Sequence, residues 1–182
     1  YRGFLESFDE AAYLRGLNEA GVTWLGRSDP DFPPLVGAIH DPPPGLFVRG
    51  AAGAEALRRP TAAVVGARSC SPYGAQVARM LGRELAAAGL VVVSGLARGV
   101  DGEAHRGALE AGGTTVAVLG CGIDRDYPAA HAELGARIRA SGLAVSEYAP
   151  RVEPAPWRFP ARNRIIAGLS AGTIVVDWPA DF

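Results

Sequence analysis

Three arginines and an aromatic residue stand together at the start of an apolar segment late in the sequence. The segment reads WRFPARNRIIAGLS (residues 157–170), and its basic residues are Arg158, Arg162 and Arg164. Arginine suits phosphate binding because its planar guanidinium stays charged and donates several hydrogen bonds. A neighbouring ring, here Phe159, offers a nucleobase a surface for stacking. This combination predicts a ligand that carries both phosphates and bases.

Three residues of the segment allow more than one interpretation. Asn163 is able to reach a base edge or to cap a helix. Trp157 and Phe159 either stack bases or anchor the loop in the core.

Residues 151–164 carry four arginines against Glu153 alone, although the whole chain has a net charge of −1. The charge distribution therefore predicts a local basic site on a nearly neutral protein.

Short apolar runs alternate with helical patterns from Thr61 onwards, and these elements must position the arginines. The predicted strands read TAAVVG, LVVVSG, TTVAVLG, LAVSEY and TIVVDW. Continuous apolar strands separated by helices indicate a parallel sheet that is covered on both faces. We predict an α/β fold with an extended, Rossmann-like, doubly wound and mainly parallel sheet. Ligands of such sheets bind beyond the carboxyl ends of the strands.

The N-terminal third of the chain has a different composition. Residues 29–50 contain six prolines, so this lead-in is expected to be extended or turned. Its last residues, LFVRG, are predicted to form a short edge strand, and residues 4–20 one or two helices. We place a boundary near residues 58–60, which divides the chain into an N-terminal extension (residues 1–59) and a Rossmann-like domain (residues 60–182).

Glycine and arginine recur in the loops that follow the predicted strands. Gly66 and Arg68 follow the first strand, Gly95 and Arg98 the second, and Arg125 the third. The topology brings these loops to one edge of the sheet. Glycine lets backbone approach a ligand, and the helix N-termini beyond the loops offer N–H groups to anions. We expect a phosphate site at this edge.

Several cofactor sites are disfavoured. No G-x-G-x-x-G fingerprint is present, and a P-loop requires a lysine, which the sequence lacks entirely. Its histidines are scattered, and Cys70 and Cys121 have no metal-like spacing, so we expect neither cofactor nor metal. Two isolated cysteines fit a reducing cytoplasm, and no apolar run is long enough to cross a membrane.

Candidates for catalysis are few. Asp101 and His105 have the spacing of an acid–base pair on one helix face, or of a helix cap followed by a buried histidine. Cys121 stands between two glycines and is a weaker candidate for a reactive thiol. A Rossmann-like phosphoribohydrolase with Asp101, His105 or Glu147 in catalysis is therefore an alternative to a DNA-binding protein. The absence of a Gly-Gly-x-Gly-Thr loop weighs against that enzyme.

Five stretches in this order resemble the DNA-processing protein A family (DprA/Smf). They read VVGARSCSPYG, VVSGLARGVDGEAHRGAL, TVAVLGCGIDRDYPAAHAEL, SEY and WRFPARNRIIAGLS. The proline-rich lead-in also resembles that family, and the similarity runs from about Val22 to Val176. The family continues through further strands and helices after TIVVDW, so the sequence is expected to be truncated on its C-terminal side.

The resemblance implies a cytoplasmic protein of natural transformation that has no known catalytic step. Such a protein binds incoming single-stranded DNA, protects it, helps to load a RecA-type recombinase and forms a homodimer. The resemblance, together with the strand topology, gives one predicted DNA-binding set: Gly66, Arg68, Gly95, Arg98, Arg158, Phe159, Arg162, Asn163 and Arg164.

Overall fold

One seven-stranded sheet forms the centre of the computed structural model, which describes residues 8–177. Its strands are β1 (Thr23–Gly26), β2 (Gly45–Arg49), β3 (Thr61–Gly66), β4 (Val91–Ser94), β5 (Thr115–Val118), β6 (Leu143–Ser146) and β7 (Gly172–Val176). Their spatial order is β1-β2-β6-β5-β4-β3-β7. The pairs from β6 to β7 are all parallel, whereas β1 and β2 join antiparallel. The predicted α/β, mainly parallel, Rossmann-like fold is confirmed.

Among residues 8–177, six α-helices and two short 3₁₀ turns precede or connect these strands. The helices are α1 (Glu10–Glu19), α2 (Pro34–Gly37), α3 (Pro72–Ala87), α4 (Val100–Glu110), α5 (Ala132–Ser141) and α6 (Arg158–Leu169), and the 3₁₀ turns are Ala54–Arg58 and Ala129–His131. None of the helices among residues 8–177 is long and apolar enough to cross a membrane.

Both faces of the sheet are buried, which explains the continuous apolar strands. Val91 and Val93 pack into the cluster that includes Ile165 and Ile166 of α6. Val92, between them, belongs to the opposite cluster with residues of α3 and α4. Successive side chains of a strand point to opposite faces, so a strand covered on both sides needs apolar residues at every position.

The ends of α3 follow the sequence signals closely. Ser71 is the N-cap, and its hydroxyl accepts a 3.0 Å hydrogen bond from the Gly74 N–H. Pro72 occupies the first helical position, where a missing N–H costs nothing. Gly89 follows the helix with φ +85°, a conformation that favours glycine. A serine N-cap, a proline at the first helical position and a glycine after the last turn are the residues that predict the ends of a helix from sequence, and the structure confirms all three here.

The N-terminal lead-in supplies strands to the same sheet. LFVRG is not an edge strand, because β2 lies between β1 and β6. The reason is that β1 pairs with β2 and covers its outer side, which the proline-rich sequence between them did not indicate. The sheet thus runs across residue 60, and the division into residues 1–59 and 60–182 stays a prediction.

Two helix starts differ from the sequence prediction. The last helix begins at Arg158, so Phe159 lies in its first turn and Asn163 lies inside it, too far along to cap it. The N-cap of α4 is Gly99 with φ 73°, not Asp101. Asp101 lies in the first turn instead, and its carboxylate accepts a hydrogen bond from the Ala97 N–H at 3.3 Å.

Candidate nucleic-acid interface

A cavity of about 380 Å³ opens at the carboxyl ends of β3, β4 and β5. Four segments that are distant in sequence meet there: the loops after these three strands and the first turns of α6. Its wall is formed by Arg68, Ser69, Gly95, Ala97, Arg98, Tyr127, Pro128, Phe159 and Arg162. The edge predicted from the topology is therefore where five of the predicted site residues come together.

Two aromatic rings and a guanidinium form a stack in this wall. The rings of Tyr127 and Phe159 are nearly parallel, with an interplanar angle of 24° and 5.1 Å between centroids. The guanidinium carbon of Arg68 lies 5.5 Å from the centroid of the Phe159 ring. A cation over a ring face is attracted by the ring quadrupole. The stack combines a flat apolar surface with a positive charge.

Arg68 and Arg98 carry the unneutralised charge of the cavity. Both residues are exposed, and no hydrogen bond or ion pair to another described residue engages either guanidinium. Each can therefore donate hydrogen bonds to a phosphate without giving up a hydrogen bond or an ion pair to a described residue.

Arg162 is buried beneath the cavity and fixes the backbone at its base. Its Nη1 donates to the carbonyl oxygen of Gly95 at 2.5 Å and to that of Val118. Its Nη2 lies 3.7 Å from the Asp101 carboxylate. The Gly95 carbonyl comes directly after β4, and the Val118 carbonyl is at the end of β5. The Arg162 side chain therefore connects the starts of two loops that shape the cavity.

The loop that carries Arg98 has a fixed shape. Leu96 has φ 60°, a left-handed conformation that is uncommon for a residue with a side chain. Its carbonyl accepts a 3.0 Å hydrogen bond from the buried His131, which requires a proton on Nδ1. Together with the Ala97–Asp101 hydrogen bond, this contact holds the loop from both sides.

A second cavity of about 300 Å³ lies on the other side of Arg162. Gly66, Asn163 and the buried Asp101 line it, and Arg68 and Arg162 line both cavities. The side-chain oxygen of Asn163 accepts a hydrogen bond from Arg162 Nε at 3.2 Å. Its amide donors remain uncommitted to described residues, so Asn163 keeps the ability to donate to a ligand.

Arg164 and Arg158 lie away from both cavities. Arg164 forms a two-pronged ion pair with Glu147, with Nη1–Oε1 at 2.8 Å and Nη2–Oε2 at 2.6 Å. Its Nε donates to the Asp41 carbonyl at 2.8 Å. Arg158 stacks between two aromatic rings and donates to the Glu153 carbonyl. Both guanidiniums are thus engaged within the protein.

The glycines at the cavity make room for the protein's own atoms. A Cβ on Gly95 would collide with the guanidinium of Arg162, and one on Gly66 would collide with the Val176 carbonyl. Glycine at these positions is explained by packing, and close approach of a ligand to them stays a prediction.

The candidate catalytic residues do not come together in one site. His105 is fully buried, and its Nδ1 lies 2.7 Å from the Thr115 hydroxyl, which donates to the Val92 carbonyl. That hydroxyl has one proton, so His105 Nδ1 must donate to it. Burial lowers the pKa of His105 to about 3, which leaves it neutral near pH 7.

Two other reactive candidates are also withdrawn from solvent. Burial raises the pKa of the Cys121 thiol to about 11, which disfavours the thiolate that a reactive cysteine needs near neutral pH. Glu147 is engaged by Arg164 as described above. Among residues 8–177, moreover, no group of three or more His, Cys, Asp or Glu side chains is arranged to hold a metal.

Sequence reasoning missed two residues of the site. Tyr127, which stacks on Phe159, stands in the stretch DRDYP after the third strand. An aromatic between charged residues and a proline at a strand end was the available signal. His131 gave none, because its contact with the Leu96 carbonyl joins residues that are 35 positions apart.

Comparison with known proteins identifies the family. The model of the DNA recombination-mediator protein A family matches residues 23–181. The chain belongs to this family. Among curated members, Protein Smf of Escherichia coli strain K12 is 42% identical over 175 residues, which cover 91% of this chain and 46% of that protein. The DNA processing protein DprA of Streptococcus pneumoniae is 44% identical over 149 residues, which cover 82% and 52%.

Solved structures of the DprA family share the fold. The X-ray structure of DprA from Streptococcus pneumoniae has a TM-score of 0.85 and 39% identity, and covers 96% of this chain and 60% of that one. DprA from Helicobacter pylori, whose structure concerns its single-stranded DNA binding mode, has a TM-score of 0.75 and 33% identity over 85% of this chain and 68% of that one. The chain spans about half the length of the curated relatives it matches.

Proposed function

We propose that this chain binds single-stranded DNA in the cavity at the carboxyl ends of β3, β4 and β5. The observation that carries the proposal is the Arg68–Phe159–Tyr127 stack, which joins an exposed cation to flat rings inside one cavity. A single strand offers the matching pair of groups, since each nucleotide has a phosphate and an unpaired base. A DprA relative with a described single-stranded DNA binding mode supports the assignment.

The predicted site residues take different roles in this proposal. Arg68 and Arg98 bind phosphates, because both residues are exposed and no residue within 8–177 forms an ion pair with either guanidinium. Phe159, with Tyr127 behind it, stacks a base, and the Asn163 amide donates to a base edge. Arg162 positions the loops from below.

Gly66 and Gly95 let those loops pack at the cavity. Arg158 and Arg164 lie outside the site and support it indirectly, because their contacts hold the first turns of α6 in place.

An enzymatic role has less support. His105 is buried outside both cavities, Glu147 is paired with Arg164, and only Asp101 reaches a cavity wall. We propose that the chain binds DNA without a catalytic step. Release of free base from nucleoside monophosphates, measured by chromatography, would instead support the phosphoribohydrolase alternative.

We further propose that the protein has the role known for its family. In natural transformation it would protect incoming single strands and help to load a RecA-type recombinase, acting as a homodimer in the cytoplasm. Nuclease protection of a single strand and recombinase filament formation on that strand would test the first two roles. The solution mass would test the third.

Anisotropy of a labelled oligo-dT, titrated over a range of salt concentrations, tests the DNA site. Each neutralised phosphate contributes about −0.7 to the slope of log K against log salt, so two contacts predict a slope of about −1.4. We expect Arg68→Ala/Arg98→Ala to bind more weakly and to lose most of that slope. Arg83→Ala, which removes an exposed arginine paired with its neighbour Glu84, is the matched control. No binding by the wild-type chain at low salt would overturn the proposal.

A further inference from the structure

A cation–aromatic cluster lies outside the cavity, at the end of the loop after β6. We call it the Trp157 cluster; its members are Tyr148, Trp157 and Arg158. The guanidinium carbon of Arg158 is 4.8 Å from the centroid of the Trp157 ring and 5.1 Å from that of Tyr148. The two rings meet edge to face, with an interplanar angle of 87° and 6.3 Å between centroids.

Trp157 is held in place yet open to solvent. It is 61% exposed. Tryptophan has the largest side chain of the apolar residues and is usually mostly buried. Arg158 lies over its ring, and more than half of the residue is nevertheless open to solvent. A fixed indole with this much open surface is one on which a flat ligand can stack at little entropic cost.

The loop beneath this ring is braced. Arg158 donates to the Glu153 carbonyl, and the Glu153 carboxylate forms an ion pair with Arg125 at 2.6 Å. Arg125 Nη2 also lies 3.4 Å from the Arg151 carbonyl, to which it donates. The loops after β5 and β6 are thereby joined, so the position of the indole is set by the fold.

Trp157 and Phe159 face different spaces. Phe159 lines the cavity, whereas Trp157 does not. The Cα atoms of two residues that are two positions apart lie at most about 7 Å from each other. The two rings therefore branch from nearby points of the backbone. Neighbouring nucleotides of an extended single strand have a similar separation.

We propose that Trp157 is a second base-stacking platform, which takes the nucleotide next to the one bound in the cavity. The inference rests on the proposed function and extends it. The ligand is an unpaired nucleobase of the same strand, because the surroundings are basic: Arg151 is exposed, and none of the described residues pairs with its guanidinium.

Tryptophan fluorescence reports on this platform directly. Trp24 packs against Phe47, with 4.5 Å between ring centroids, and Trp178 lies outside the described residues. In Trp24→Phe/Trp178→Phe, Trp157 is the single tryptophan of the sequence. We expect oligo-dT to quench its emission, and an abasic oligomer of equal length and charge to leave it nearly unchanged. Equal responses to both oligomers would count against stacking.

Affinity provides an independent test in the full wild-type background. A stacked base contributes roughly a 5- to 150-fold change in affinity, so Trp157→Ala should weaken oligo-dT binding by at least about fivefold. Trp157→Phe should retain most of the affinity, and the salt slope should stay the same in both variants because no charge changes. The exposed position predicts normal thermal unfolding for both.

The two proposals fail in different ways. If Trp157→Ala binds like the wild type while Arg68→Ala/Arg98→Ala loses binding, the second platform is refuted and the cavity site stands. If the wild-type chain does not bind at low salt, the proposed function itself fails.

Discussion

Arg162 and Asp101 form an ion pair beneath the cavity, with 3.7 Å between Nη2 and Oδ2. Both residues are buried, at 3% and 5% exposure, and the pair joins α6 to α4. Burial raises the pKa of Asp101 and lowers that of Arg162, and their mutual attraction opposes both shifts. Arg162, although it belongs to the basic segment, therefore stabilises the walls of the cavity from inside the protein.

Replacing Arg162 should destabilise the fold. Arg162→Ala leaves the Asp101 carboxylate buried without its partner and removes two hydrogen bonds to strand-end carbonyls. We expect a loss of about 3–5 kcal/mol in the free energy of unfolding, measured by urea denaturation. Arg58→Ala, which breaks an ion pair whose side chains are both more than half exposed, is the control and should change it by less than about 1 kcal/mol. Equal effects of the two variants would show that the buried pair has no structural role.

Arg164 should affect stability without affecting the electrostatics of DNA binding. Its guanidinium is held by Glu147 and by the Asp41 carbonyl, which tie α6 to the end of β6 and to the lead-in. We expect Arg164→Met to lower the melting temperature and to leave the salt slope of oligo-dT binding unchanged. A slope shallower by about 0.7 would show instead that Arg164 binds a phosphate.

The Phe159 ring should be needed for bases and not for phosphates. Phe159→Leu keeps an apolar side chain but removes the flat ring that Arg68 and Tyr127 both contact. We expect oligo-dT binding to weaken by roughly 5- to 150-fold, with little change for an abasic oligomer of the same length. Met80→Leu on the exposed side of α3 is the matched apolar control. Equal losses for both oligomers would indicate a general disruption of the cavity.

His105 should make the fold sensitive to acid. Its pKa falls from 6.5 to about 3 on burial, so below pH 6.5 the unfolded chain takes up a proton that the folded chain does not. Stability is therefore fully present above pH 6.5 and declines as the pH falls towards 3, by up to about 1.4 kcal/mol per pH unit from this group. His105→Asn keeps an amide donor for Thr115 and cannot titrate. Urea unfolding between pH 7 and pH 4.5 should show a flatter decline for this variant than for the wild type, and parallel declines would refute the assignment.

Local sequence signals were sufficient for most of the fold. The order of strands and helices from Thr61 onwards follows from apolar runs and from caps such as Ser71, Pro72 and Gly89. The edge at which a ligand binds follows as well, because parallel strands bring their carboxyl ends together. The place of β2 inside the sheet does not follow, since its neighbours β1 and β6 come from opposite sides of it in the chain.

The sequence by itself determined that arginines and aromatic residues would gather at one edge of a parallel sheet, because periodicity and strand direction are local properties of the chain. Only the tertiary structure decided which arginines remain free. Arg68 and Arg98 face the cavity and form no ion pair with any residue that the structure describes, whereas Arg162 and Arg164 are engaged by Asp101 and Glu147. A guanidinium is neutralised by whichever carboxylate or carbonyl the fold places beside it, and in this protein those groups come from segments far away in the sequence.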